Sequence, residues 1–175
     1  MYPWMKNLRT VEPYVPGEQP KSLQVTKLNT NENPYPPAPA VRESLKQITD
    51  DYLRRYPDPN CGILTAALAD YYRVPASRIF VGVGSDDVLA TAFMTFFNSD
   101  KPVFFPDVTY GFYPVWAEML QIPYEKKPLD QNFHIRREDY YGENGGIVFP
   151  NPNAPTSLLE PVSLVEDIVS RNPGS

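Results

Sequence analysis

The sequence predicts an α/β fold, a mainly parallel sheet with flanking helices, preceded by an extended proline-rich N-terminal arm. Two observations predict the sheet. Short β-branched or aromatic runs alternate with segments of helical period, which implies parallel pairing through right-handed crossovers. A hydrophobic fraction of 42%, with 9 Phe, 12 Tyr and 2 Trp, supplies a core for one ordinary domain of 175 residues. The arm is predicted by proline: 21 prolines, against a usual share of about 5%, punctuate the whole chain and crowd its beginning.

Residues 1–37 hold Pro3, Pro13, Pro16, Pro20, Pro34, Pro36 and Pro37 without a sustained period. They read as an extended arm, either a partly disordered tail or a segment ordered by packing on its own domain or a second subunit. From Pro39, which suits a first helical turn, Val41, Leu45, Ile48 and Tyr52 fall at helical spacing, and YPDPN at 56–60 ends that helix. A second helix over 61–72 presents Leu64, Leu68, Tyr71 and Tyr72 and closes before Val74-Pro75. Strands are expected at Ile79-Phe80-Val81, Val103-Phe104-Phe105 and Ile147-Val148-Phe149, with helices over 86–97 and 111–121. A weaker strand from Tyr124 to Lys127 precedes a short helical turn near 135–140, and a last helix near 160–170 carries Val162, Val165, Ile168 and Val169. The expected division is an arm over 1–37 and a partial α/β domain over 38–175.

Charge narrows the function. A net charge of −5 with scattered Lys and Arg gives no extended positive field, so no nucleic acid is expected as partner. One cysteine, Cys61, and one histidine, His134, allow neither an internal disulfide nor structural zinc, so no metal site is expected. Cys61 reads as a small buried hydrophobe. The N-terminus lacks a signal-like apolar stretch and no run approaches a membrane span, so a soluble cytoplasmic protein without a membrane partner is expected.

In open α/β sheets ligands sit beyond the carboxyl ends of strands, which directs attention to three turns. In GVGSDD at 82–87, Gly82 and Gly84 permit close backbone approach, Ser85 can cap, and the amides opening the next helix suit an anion such as phosphate. The same Ser85, Asp86 and Asp87 also make an ordinary acidic first turn. In PDVTYGFYP at 106–114, Tyr110 can lay its ring on a flat heteroaromatic ligand or serve as a core aromatic. In FPNPNAPTS at 149–157, Asn151 and Asn153 alternate with prolines and present amide side chains from a stiff loop.

These three turns, taken in order with NTNENPYPP at 29–37 and RYPDP at 55–59, resemble the histidinol-phosphate aminotransferase branch of the fold-type I pyridoxal-phosphate enzymes. The resemblance runs from about residue 25 to the end and implies the large cofactor-binding domain of such an enzyme. It implies pyridoxal 5'-phosphate as cofactor, its phosphate on the backbone of Gly84, Ser85 and Asp86, its ring under Tyr110 and its phenolic oxygen bonded by an asparagine, Asn153 ahead of Asn151. Tyr56 would reach the phosphate of the partner subunit's cofactor in a homodimer, and Asn33 and Tyr35 would line the substrate side. The implied reaction moves an amino group between histidinol phosphate and 2-oxoglutarate.

Two departures from the family pattern stand out: Asp86-Asp87 in place of Asp-Glu, and Ser157 where glycine usually follows the threonine. Lys6, Lys21, Lys27, Lys46, Lys101, Lys126 and Lys127 lie in no motif resembling a Schiff-base site, so no catalytic residue is expected here and the chain reads as an inactive N-terminal part. Two other readings stay open: another class I/II aminotransferase or an amino-acid-phosphate decarboxylase, and a non-catalytic α/β binding module.

Overall fold

The structure is a computed structural model describing residues 2–22 and 24–174. The chain forms two compact units, one of residues up to Tyr14 together with those from Val83 onward, the other Val15–Gly82.

In the smaller unit, α1 spans Pro39–Lys46, α2 Asp50–Leu53 and α3 Gly62–Tyr72. The single helix expected from Pro39 to Tyr52 is therefore two. Thr49 leaves the helical region (φ −103, ψ 161) and its hydroxyl accepts the Tyr52 N–H at 3.3 Å, starting a new helix whose first turn carries Asp50 and Asp51. YPDPN ends it as expected, and Asp58 then prepares α3 by accepting from Asn60 N and Gly62 N at 2.9 and 2.7 Å. Those two N–H bonds hold its carboxyl below the ordinary aspartate range. Cys61 is exposed, not a buried hydrophobe, because it occupies the left-handed turn ahead of α3. The run 79–81 forms no ladder among the described residues, although Ile79 is extended. A strand needs a partner as well as a β-prone sequence.

The larger unit opens with a 3₁₀ turn, Pro3–Asn7, and then carries α4, Gly84–Phe96; β1, Val103–Pro106; α5, Phe112–Leu120; β2, Tyr124–Lys127; a 3₁₀ turn, Arg137–Tyr140; β3, Gly146–Ile147; and α6, Val162–Arg171. The sheet is parallel with order β2-β1-β3, as the alternation predicts. β3 is shorter than the expected run 147–149. Val148 N still donates to Phe104 O at 3.0 Å, but Pro150 has no N–H with which to extend the ladder. Gly146 is required where it stands: its φ is +139, and a Cβ there would lie 2.4 Å from the Phe97 ring.

β1 is buried throughout. Its side chains alternate, Val103 and Phe105 packing with Phe93, Tyr113, Trp116, Ala117 and Ile122, while Phe104 packs with Ile135, Tyr140 and Ile168 on the other face. Helices α4 and α5 thus cover one face, and α6 with the 3₁₀ turn covers the other.

Burial pushes the Tyr113 hydroxyl from 10 up to about 12. The folded chain therefore favours the neutral phenol, and this contribution is complete below pH 10 and lost as pH rises through 12. It amounts to roughly 2–3 kcal/mol. Urea unfolding of Tyr113→Phe should show a stability-against-pH curve flatter by that amount between pH 10 and 12; an unchanged slope would show that the phenol is not the titrating group.

Candidate functional site

Parallel strands end on one edge, so the turns after β1 and β3 are neighbours. Paired residues of these strands are 43 apart (146 − 103). Beyond the strands Asn153 bridges the two loops: its Nδ2 donates to Val108 O at 3.0 Å, and its Oδ1 accepts from Thr109 Oγ1 at 2.9 Å. Nδ2 also donates to Thr156 Oγ1 at 3.2 Å. At 4% exposure, Asn153 thus has both amide protons and its oxygen engaged in joining two loops. A bond from Asn153 to a ligand would replace one of these contacts.

Asn151 plays a different part. Its Oδ1 accepts Glu160 N at 2.8 Å and its Nδ2 donates to Glu160 O at 3.0 Å, so it closes the loop as a strand partner would. The turn is completed by Ser157, whose N–H donates to Asn153 O at 2.6 Å from a left-handed conformation, φ +61. The residue where the family usually places glycine does adopt a conformation that favours glycine.

The anion turn also differs in detail from the sequence reading. The helix opens at Gly84, φ +83, so Gly84, Ser85 and Asp86 all lie in the first turn of α4, whose N–H groups have no carbonyl one turn back. Ser85 does not cap. It lies past the capping position, and the Asp87 carboxylate takes the Val83 N–H instead, at 2.9 Å. Asp86 turns to the neighbouring loop and accepts from Tyr110 OH at 2.5 Å.

Tyr110 therefore links the first turn to the second. Its half-buried ring lies 5.7 Å from Tyr113 and 5.8 Å from Phe112, so it is partly a core aromatic as well. Desolvation first, then the Asp86 carboxylate, raises its hydroxyl well above the ordinary tyrosine range, and the phenol stays a proton donor to Asp86. The 106–114 turn also meets the arm: the Tyr14 ring lies tilted 4.4 Å from the Phe112 ring, and its edge is 3.3 Å from where a Cβ on Gly111 would stand.

Gly84, Ser85, Asp86, Tyr110 and Asn153 thus form one connected cluster in the larger unit. Asn33, Tyr35 and Tyr56 belong to the smaller unit. There Asn33 Oδ1 accepts the Tyr35 N–H at 3.0 Å, Tyr35 is largely exposed and Tyr56 fully so. The sequence reading missed Thr109, Tyr14 and Glu160. Only Thr109 had a signal, a hydroxyl just past a strand end. Among the described residues, no His, Cys, Asp and Glu group could hold a metal ion, and no helix is long and apolar enough to cross a membrane.

This architecture is that of a solved protein of Erwinia carotovora atroseptica described as a histidinol-phosphate aminotransferase. The TM-score is 0.74 at 22% identity, over 83% of this chain and 44% of that one. Residues 24–173 match the model of the aminotransferase class I and II family, and the chain belongs to that family. It is 51% identical to histidinol-phosphate aminotransferase 1 of Hydrogenovibrio crunogenus, over 98% of this chain and 48% of that protein. It is 50% identical to the histidinol-phosphate aminotransferase of Pseudomonas syringae pv. syringae, over 98% and 49%. The chain spans about half the length of these curated relatives.

The left-handed conformation at position 157 costs a serine about 1–2 kcal/mol, and glycine gives back roughly 0.5–1 in unfolded-state entropy. Ser157→Gly should therefore stabilise the chain by up to about 1 kcal/mol, read as a raised urea midpoint at constant slope; a lowered midpoint would show that the hydroxymethyl group makes a contact worth more than the strain.

Proposed function

We propose that this chain is the cofactor-binding part of a pyridoxal-phosphate-dependent histidinol-phosphate aminotransferase that transfers an amino group between histidinol phosphate and 2-oxoglutarate. The observation carrying this reading is the continuous link from the first turn of α4 through Asp86 and Tyr110 to the loop of Asn153. The donor set suits the cofactor: free amides and a helix N-terminus for a phosphate, an aromatic ring for a pyridine. The names and 46–51% identities of the relatives support the substrate.

In this reading Gly84, Ser85 and Asp86 hold the phosphate through backbone N–H groups, with no side-chain charge consumed. Tyr110 lies against the pyridine ring and is kept in place by its bond to Asp86. Asn153 faces the phenolic oxygen and exchanges one of its internal contacts for that bond. Asn33 and Tyr35 line the substrate side, and Tyr56 reaches the phosphate bound by the partner in a cytoplasmic homodimer. The bound cofactor supplies an electron sink at the substrate's α-carbon. Positioning the cofactor is the task of these residues.

Stacked aromatic geometry contributes about 1 kcal/mol, so Tyr110→Ala should weaken binding of pyridoxal phosphate to this chain about fivefold. Fluorescence titration measures this, and equal affinity for wild type and variant, or no binding by either, overturns the proposed seat. The homodimer is supported by apolar side chains left exposed on α1 to α3, among them Leu45, Leu53, Ile63 and Tyr71. Light scattering should give twice the monomer mass of 19.9 kDa, and a monodisperse monomer would exclude pairing by this chain alone.

A further inference from the structure

Glu160 is a carboxylate with 6% exposure just ahead of α6, and the sequence gives it no role. Its Oε1 accepts from Ile135 N at 2.9 Å and lies 3.1 Å from His134 Nδ1. Ile135 belongs to the buried cluster with Phe104, Tyr140 and Ile168, so this end of the contact is anchored in the core. His134 is held just as firmly along its backbone: its N–H donates to Asp130 Oδ1 at 2.9 Å and its carbonyl accepts Asp130 N at 2.9 Å. Its ring, by contrast, is about half exposed and in reach of solvent protons.

The backbone of Glu160 faces the other way, into the asparagine loop. Asn151 grips both its N–H and its C=O, and two residues earlier Leu158 O accepts Asn153 N at 2.8 Å. One residue therefore joins a fixed point in the core to the loop that carries Asn153. A ring bearing hydrogen on Nδ1 donates to the buried carboxylate. The neutral ring keeps that hydrogen as its Nδ1–H tautomer, because a lone pair set against a desolvated carboxylate is costly; protonation at Nε2 then adds a positive charge and makes the bond to Glu160 charge-assisted.

We propose that Glu160 is a positioning residue for the 151–157 loop, and that through it the protonation of His134 adjusts how that loop, and with it Asn153, is set. The inference rests on the reading of this loop as a wall of the cofactor seat. Of the other charged groups, Asp130 faces the histidine, and Arg136 in turn faces Asp130. The Asp130 carboxylate bonds back into its own turn, to Asn132 N and His134 N, so it serves as the control.

His134 is the chain's single histidine, so its ring signals in an NMR spectrum assign themselves. In a pH titration of the labelled 175-residue chain, the amides of Asn153, Thr156 and Ser157 should move with the same midpoint as the ring. In Glu160→Gln, which keeps an acceptor for Ile135 N, the ring should still titrate while the loop amides lose that midpoint. His134→Gln, at a half-exposed position, should flatten them, and Asp130→Asn should leave their coupling to the ring in place. Loop amides that ignore the ring in the wild type overturn the proposal even if a variant fails to fold, and so does equal coupling in Glu160→Gln. Failure of the chain to bind pyridoxal phosphate would defeat the proposed function and leave this coupling to be judged on the amides alone.

Discussion

The fold and the candidate site both depend on β1 lying between two parallel neighbours. Its pairing with β3 and β2 sends alternate side chains to opposite faces, and both faces are filled: a shift of one residue would exchange Phe104 with Val103 and Phe105 and leave neither cluster intact. The same register brings the 106–114 and 149–157 loops together. Asp107 repeats the device toward β2, its carboxylate accepting Leu129 N at 3.0 Å just beyond the last paired residues. Core packing therefore fixes where the site residues stand.

Much of this was legible from sequence because the relevant signals are local. Alternating runs located β1, β2 and four of the helices, and strand-end logic pointed to the three turns that the structure connects. What failed was relational. Ile79-Phe80-Val81 has the residues of a strand, but pairing needs a neighbour, and none of the described residues supplies one. Val41, Leu45, Ile48 and Tyr52 keep a helical spacing across a break made by one threonine side chain. Asn151 and Asn153 are the same residue type in the same proline-rich loop, and only their partners, Glu160 on one side and Val108 with Thr109 on the other, separate a loop-closing role from a loop-joining one. Glu160 itself was invisible because the residues that explain its burial, His134 and Ile135, lie 26 and 25 positions earlier.

The exposed apolar residues of α1 to α3 show the limit of periodicity. Val41 and Leu45 on one stripe and Leu64 and Tyr71 on the next keep a helical spacing, and all four are exposed. A helical stripe states that a surface is apolar and says nothing of what covers it. In the larger unit the stripe of α6 finds its place only in part: Ile168 is buried against Phe104 and Tyr140, while Val162 and Val169 stay exposed. The difference is the sheet, which offers α6 a ready apolar face.

The two halves of the candidate site are held by different means, and this sets how each responds to substitution. At the first turn of α4 the groups that would face an anion are backbone amides, so Asp87 can stand where the family usually has Glu as long as its carboxylate still reaches Val83 N. In the 149–157 loop, Pro150, Pro152 and Pro155 supply no N–H, and asparagine side chains take over bonding that a backbone would otherwise provide. The alternation of proline with asparagine is then a structural necessity: proline stiffens the loop, and each asparagine amide supplies two donors and an acceptor. Such a loop depends on particular side chains, with no redundant ladder to absorb the loss of one. A single substitution at Asn151, Asn153 or Glu160 therefore reaches the whole loop, whereas the first turn of α4 tolerates changes that preserve its backbone.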